Sequence, residues 1–130
     1  MRVSSLYETD PVGYPDQPLF WNLAAEIRWT GAPEDLLGEL AAIERRGRRR
    51  RRFRNGPREI DIDILDFAGE VRDSPDPILP QPRLAARRFA LAPIAEIAPR
   101  WRHPITALTA KEMIKTLPAR PAVWRLRKNL

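Results

Sequence analysis

Two carboxylates separated by one isoleucine, Asp61-Ile62-Asp63, stand inside the stretch REIDIDILDF at residues 58–67. Side chains alternate along an extended chain, so both carboxylates would leave the same face. Like charges side by side repel, which leaves two readings: the solvated face of an amphipathic strand, or a pair sharing a cation. On spacing alone, D-x-D on a strand is more often a solvated face. Two oxygens on one face are nonetheless a good partial site for Mg²⁺, which keeps several waters and takes phosphate oxygens as further ligands. Arginines close by supply the complement. The run RRGRRRRRFR at 45–54 carries more positive charge than the chain's net excess of +6, and Arg58 follows it. Arg50, Arg54 and Arg58 could neutralise phosphate oxygens bidentately, which lysine does less well. Carboxylates, a metal and guanidiniums suit phosphoryl transfer, where catalysis is mostly positioning and charge stabilisation. Taken alone, the basic run reads more readily as a solvated loop than as a specific site. A nucleic-acid partner is the weaker alternative, because only Phe53 interrupts the run as a stacking aromatic.

The elements that must position these groups can be read along the chain. RVSSLYE suits a strand, and Thr9 to Asp16 carries the Pro, Gly and Asp punctuation of a loop. LFWNLAAEIRW, residues 19–29, reads as a second strand with Phe20, Asn22, Ala24 and Glu26 on one face. A helix is expected over Pro33–Arg46. Pro33 fits its first turn, Glu34 and Asp35 complement the positive end of its dipole, and Gly47 suits the C′ position. Leu36, Leu37, Leu40 and Ile43 form its apolar stripe. Asn55-Gly56-Pro57 then makes a turn into a strand that puts Ile60, Ile62 and Ile64 toward the core and ends or bulges near Leu65, where Asp66 breaks the alternation. Four prolines mark 69–83 as loop, 87–98 and 109–117 read as short helices, and the end, WRLRKNL, reads as a frayed basic tail from about residue 118. The class is α+β, with a helix on one side of a small antiparallel sheet.

The chain's 130 residues suffice for a single domain spanning 1–130, and fourteen prolines imply much loop. The absence of cysteine excludes disulfides and thiolate metal sites. No apolar run is long enough to cross a bilayer, and the start MRVSSLYETD lacks the apolar region of a secretory signal, so no membrane partner and a cytoplasmic location are expected. The one histidine, His103, reads as a surface or turn residue without a catalytic role.

The order of motifs narrows the chemistry. SSLYETDPVGYPDQPLFWNLAAEI, a helix ending IERRGR, then RFRNGPREIDIDIL and LPQPRLAARRFALAPIAEIAP together resemble the 6-hydroxymethyl-7,8-dihydropterin pyrophosphokinases of folate biosynthesis, from residue 3 to about 99. The specific elements are GPR-x-(I/L)-D-(I/L)-D-I and Y-x-T-x-P-x-G-x-x-D-Q-P-x-(F/Y)-x-N. The resemblance implies a ferredoxin-like antiparallel sheet with helices packed on it. It also implies N-terminal truncation, since the family opens with a further strand carrying a G-S-N-(L/M)-G-like motif and a long helix; a misassigned start, cover by a partner chain or oligomer, and a natural truncation that weakens activity are the three readings of that. The implied activity is Mg²⁺-dependent transfer of pyrophosphate from ATP to 6-hydroxymethyl-7,8-dihydropterin, releasing AMP. Asp61 and Asp63 match the pair holding two Mg²⁺ ions. Arg48, Arg50, Arg54 and Arg58 match a catalytic loop and its phosphate contacts. Glu44, Ile64 and Arg87 match the nucleotide site, where Gln81 replaces a family histidine. Thr9, Pro11, Val12 and Gly13 match the pterin loop. Asn22 matches the pterin amide, and Phe20 and Phe89 the aromatic pair that sandwiches the ring. Asn55 replaces a usual tryptophan. The competing implication is a catalytically weak relative that binds nucleotide, pterin or a partner protein.

Overall fold

The computed structural model describes residues 1–10, 20–49 and 60–126. In chain order its elements are β1 (Arg2–Val3), β2 (Tyr7–Thr9), β3 (Phe20–Asn22), β4 (Ala25–Glu26), α1 (Pro33–Arg49), α2 (Arg88–Ile97), α3 (Ala110–Lys115) and β5 (Val123–Arg125), with a single 3₁₀ turn at Leu84–Ala86. All pairing among the strands is antiparallel, which with the helices makes the fold α+β. No helix among the described residues is long and apolar enough to cross a membrane. The chain divides into two compact units, one built from 1–28 and 82–130, the other from 29–81.

In the first unit β1 pairs with β4, and a three-stranded sheet runs in the order β3-β2-β5. Each expected long strand is thus broken in two. The break lies at Ser4-Ser5, where the Ser4 hydroxyl accepts the Ala24 N–H at 2.9 Å and the Ser5 N–H turns away to a carboxylate of α2. α2 packs on β2, β5 and α3. Tyr7, Leu84, Leu91, Ile94 and Met113 are its buried core. α3 starts where expected. The Thr109 side chain accepts the Glu112 N–H and the Glu112 carboxylate accepts the Thr109 N–H, a reciprocal capping box. The expected frayed tail is corrected at Val123–Arg125, which forms β5 and pairs Glu8 with Trp124 in register along the edge of β2, while residues 127–130 of that tail lie outside the described residues. His103 is the turn residue of the two alternatives, buried, its Nδ1 accepting the Ile105 and Thr106 N–H groups.

In the second unit α1 runs through Gly47 rather than stopping there. A Cβ at Gly47 would meet the Ile60 side chain only at 3.6 Å, an ordinary contact, so nothing forces a left-handed cap. The expected stripe holds at Leu36, Leu37 and Leu40 but not at Ile43, which is exposed; Pro33, Glu44 and Gly47 extend the buried and half-buried side, with Glu44 in an apolar residue's place. The Pro-rich loop is fastened by the Arg72–Leu79 bridge, with both N–H···O bonds at 2.8 Å. Arg72 also reaches Glu34 of the first turn of α1 at 2.7 Å.

Candidate functional site

The expected strand around Asp61 and Asp63 is absent: residues 60–66 form no ladder with any described residue. Extension nevertheless persists in the pattern of burial. Asp61 and Asp63 are exposed while Ile62 and Ile64 are half-buried, so the carboxylates share a side as alternation requires. Ile60 departs from its expected core position and is exposed. The Ile62 N–H, which a strand would give to a neighbouring carbonyl, goes instead to Glu44 Oε2 at 2.8 Å. A charge-assisted bond from α1 therefore fixes the residue between the two aspartates. Downstream, the Gln81 N–H donates to the Leu65 carbonyl at 3.0 Å, and Asp66 Oδ2 accepts the Gly69 N–H at 3.3 Å. The extended segment ends near Leu65, as expected, in a turn where Gly69 takes φ +73°. Glu44, Asp61, Asp63, Ile64 and Gln81 are thus brought into one framework within the second unit.

Two exposed carboxylates on one side of a pinned segment are hard oxygen donors of the kind Mg²⁺ takes, with positions left for water and phosphate, so the residues fit that ion. Among the described residues no group of three or more His, Cys, Asp or Glu side chains could hold a metal. Glu44 accordingly acts on this segment through its backbone. Arg48 falls in the last turn of α1. Arg50, Arg54 and Arg58 lie outside the described residues, as do Pro11, Val12 and Gly13 and the Asn55-Gly56-Pro57 turn.

The first unit gathers the other expected group. Register pairs Thr9 with Phe20 and Tyr7 with Asn22, so Phe20 and Asn22 leave one face of β3, as the sequence suggests. Phe89, in the first turn of α2, meets Phe20 edge to face, ring centroids 5.6 Å apart and planes at 85°. These rings touch each other in a favourable T-shape and are not parallel plates around a slot, so a planar ligand would need one ring to turn. The Arg87 guanidinium lies 5.6 Å from the Phe89 centroid, a cation–π distance. Arg87 and Phe89 also border a cavity of about 140 Å³ with Arg88, Leu117 and Arg120.

Asn22 Nδ2 donates to the Phe89 carbonyl, while Asn22 Oδ1 and the Thr9 hydroxyl oxygen are buried with no hydrogen-bond partner among the described residues. Unpaired buried polar atoms are costly and rare, and these two stand in neighbouring strands, Thr9 in β2 and Asn22 in β3.

Sequence reasoning missed Glu96. Its carboxylate accepts the Ser5 N–H at 3.0 and 3.1 Å, the Ser5 hydroxyl at 2.9 Å and the Tyr7 hydroxyl at 2.8 Å. Burial alone would raise its pKa, but the Tyr7 and Ser5 donors outweigh that and hold it below the ordinary carboxylate value. On Tyr7, burial and then the bond to Glu96 push the phenol up to about 12. The available signal was a lone glutamate in the apolar helix ALAPIAEI, a polar group that burial obliges to find partners.

Among known proteins, the family model for 7,8-dihydro-6-hydroxymethylpterin-pyrophosphokinase matches residues 1–99. The chain belongs to this pyrophosphokinase family. It is 49% identical over 96 residues to the 2-amino-4-hydroxy-6-hydroxymethyldihydropteridine pyrophosphokinase of Bacillus subtilis, covering 74% of this chain and 58% of that one. It is 45% identical over 104 residues to the Pseudomonas aeruginosa pyrophosphokinase of the same name, covering 80% and 64%. The mitochondrial folate synthesis bifunctional protein of Arabidopsis thaliana matches at 45% over 97 residues, 74% of this chain and 17% of that protein. The chain thus spans less than two thirds of each of these pyrophosphokinase-family relatives. Within the family match lie the aspartate pair and its Glu44 pin, and also Thr9, Asn22 and Phe89.

Proposed function

We propose that the chain transfers pyrophosphate from ATP to the hydroxymethyl group of 6-hydroxymethyl-7,8-dihydropterin in the cytoplasm. The observation that carries this is the exposed Asp61–Asp63 pair, held through the Ile62 N–H by Glu44 in a chain of the pyrophosphokinase family. Asp61 and Asp63 would hold two Mg²⁺ ions, whose chemistry when bound is to neutralise triphosphate oxygens and orient the reacting groups. Arg48, Arg50, Arg54 and Arg58 bring guanidiniums to the phosphate oxygens, taking charge that builds as the bond to the leaving group breaks. Ile64, Gln81 and Arg87 serve the nucleotide, and Glu44, expected there as well, serves by fixing the aspartate segment.

On the pterin side, Asn22 and Thr9 offer buried acceptors to the ring's N–H donors, and Phe20 and Phe89 offer aromatic surface. Pro11, Val12 and Gly13 complete that lining. The new bond joins the hydroxymethyl oxygen to the β-phosphorus as its O–H proton is lost to water, and the bond from that phosphorus to the α-phosphate oxygen breaks, so AMP leaves. The test incubates the full chain with ATP, Mg²⁺ and the pterin and follows AMP by chromatography. AMP should appear in step with pterin diphosphate and vanish when either pterin or Mg²⁺ is omitted. Calorimetric binding of both ligands without AMP would overturn the catalytic reading in favour of a binding relative.

A further inference from the structure

An α-helix passes each N–H to the carbonyl four residues earlier, so a proline inside it leaves one carbonyl without its helical donor. Pro93 lies inside α2 and is fully buried. The carbonyl it deprives is that of Phe89, four residues back. That carbonyl is the one that accepts Asn22 Nδ2.

We infer that Pro93 is a positioning residue for pterin recognition, acting through the orphaned Phe89 carbonyl to fix the orientation of the Asn22 amide. The inference rests on the proposed function, in which Asn22 meets the pterin. An amide can present either end, and the two ends differ only in which atom is donor and which acceptor. The Phe89 carbonyl accepts and cannot donate, so it holds the NH₂ end and commits Oδ1 to the remaining direction. There Oδ1 is buried without a partner among the described residues, which suits a ligand N–H and rejects a ligand acceptor. Proline is the one residue type that keeps this carbonyl free of competition, because any other would supply the helical N–H. The proline thus gives up helix stability, and the amide it frees is oriented before the ligand arrives.

Pro93→Ala tests this by selectivity between the two ligands. Restoring the N–H should weaken pterin binding roughly tenfold while ATP affinity stays within about twofold, whatever balance the regained helical bond strikes with the cavity left by the buried ring. In an Asn22→Ala background the same substitution should leave pterin binding unchanged, since its effect is routed through that amide. The Asn22 side-chain amide protons, followed by NMR without ligand, should be slowly exchanging in the wild type and lose that protection in Pro93→Ala. Unchanged pterin affinity in Pro93→Ala, or an equal loss with and without Asn22, would overturn the inference and leave the proposed function standing. A wild-type chain that binds no pterin would overturn both.

Discussion

Glu96 of α2 and Glu44 of α1 do the same thing in two regions: each reaches from a helix and accepts a backbone N–H of an extended segment that has left its ladder. They differ in number of bonds and in surroundings. Glu96 takes four short contacts from Ser5 and Tyr7 and stands beside a paired sheet and a buried core. Glu44 gives one bond to a segment with no strand partner among the described residues, flanked by two exposed aspartates. The first arrangement is what stability requires, every buried donor matched. The second leaves two carboxylates outward on a segment whose middle is fixed by one charge-assisted bond, an arrangement that would suit a cation.

The largest effect on stability is expected where the bonds are most numerous. Glu96→Ala strands a buried N–H and a buried phenol and should cost about 3 kcal/mol in urea unfolding, with activity lost only as far as the chain unfolds. The same cluster sets a pH window. Because the Glu96 carboxyl is lowered on folding, its contribution is complete above the ordinary carboxylate range and is lost as pH falls through the folded value. Tyr7 has the opposite sign: raised to about 12, it contributes fully below pH 10.0 and is lost as pH rises through 12. An ultraviolet titration should show one late-ionising phenol that disappears in Tyr7→Phe; a normal titration in the wild type would contradict the clamp.

How much of this could be read from the sequence follows from where the partners lie. The segment 87–98 was legible as a short apolar run, and the helix at Pro33 was legible because its first-turn residues and its period are local. The face shared by Phe20 and Asn22 was legible for the same reason. The partners of Glu96 lie 91 and 89 residues away, so no local pattern could supply them. The REIDIDIL segment reads as a strand because its alternation is real, but its N–H goes to a helix side chain 18 residues earlier, and alternation says nothing about partners. The expected helix end at Gly47 failed because a glycine permits a left-handed cap without requiring one.

Smaller effects sharpen the contrast between the regions. Asn22→Ala should raise the pterin KM roughly thirtyfold, about 2 kcal/mol, and should also lower the melting temperature by a few degrees, since it removes the donor to the Phe89 carbonyl along with the Oδ1 acceptor. A loss of stability without a change in KM would make Asn22 another Glu96. Gly47→Ala should stabilise the chain by about 0.5–1 kcal/mol, because α1 continues through that position and the new methyl meets only an ordinary contact at 3.6 Å. A destabilisation of similar size would restore the glycine to the helix end.

The central claim, that Asp61 and Asp63 are a functional pair and not a wet face, is tested most directly by one rate. AMP formation in a single turnover should fall at least a thousandfold in Asp61→Asn and in Asp63→Asn, about 4 kcal/mol of transition-state stabilisation, with the thermal midpoint within a degree or two of the wild type. Either variant turning over at the wild-type rate would contradict it.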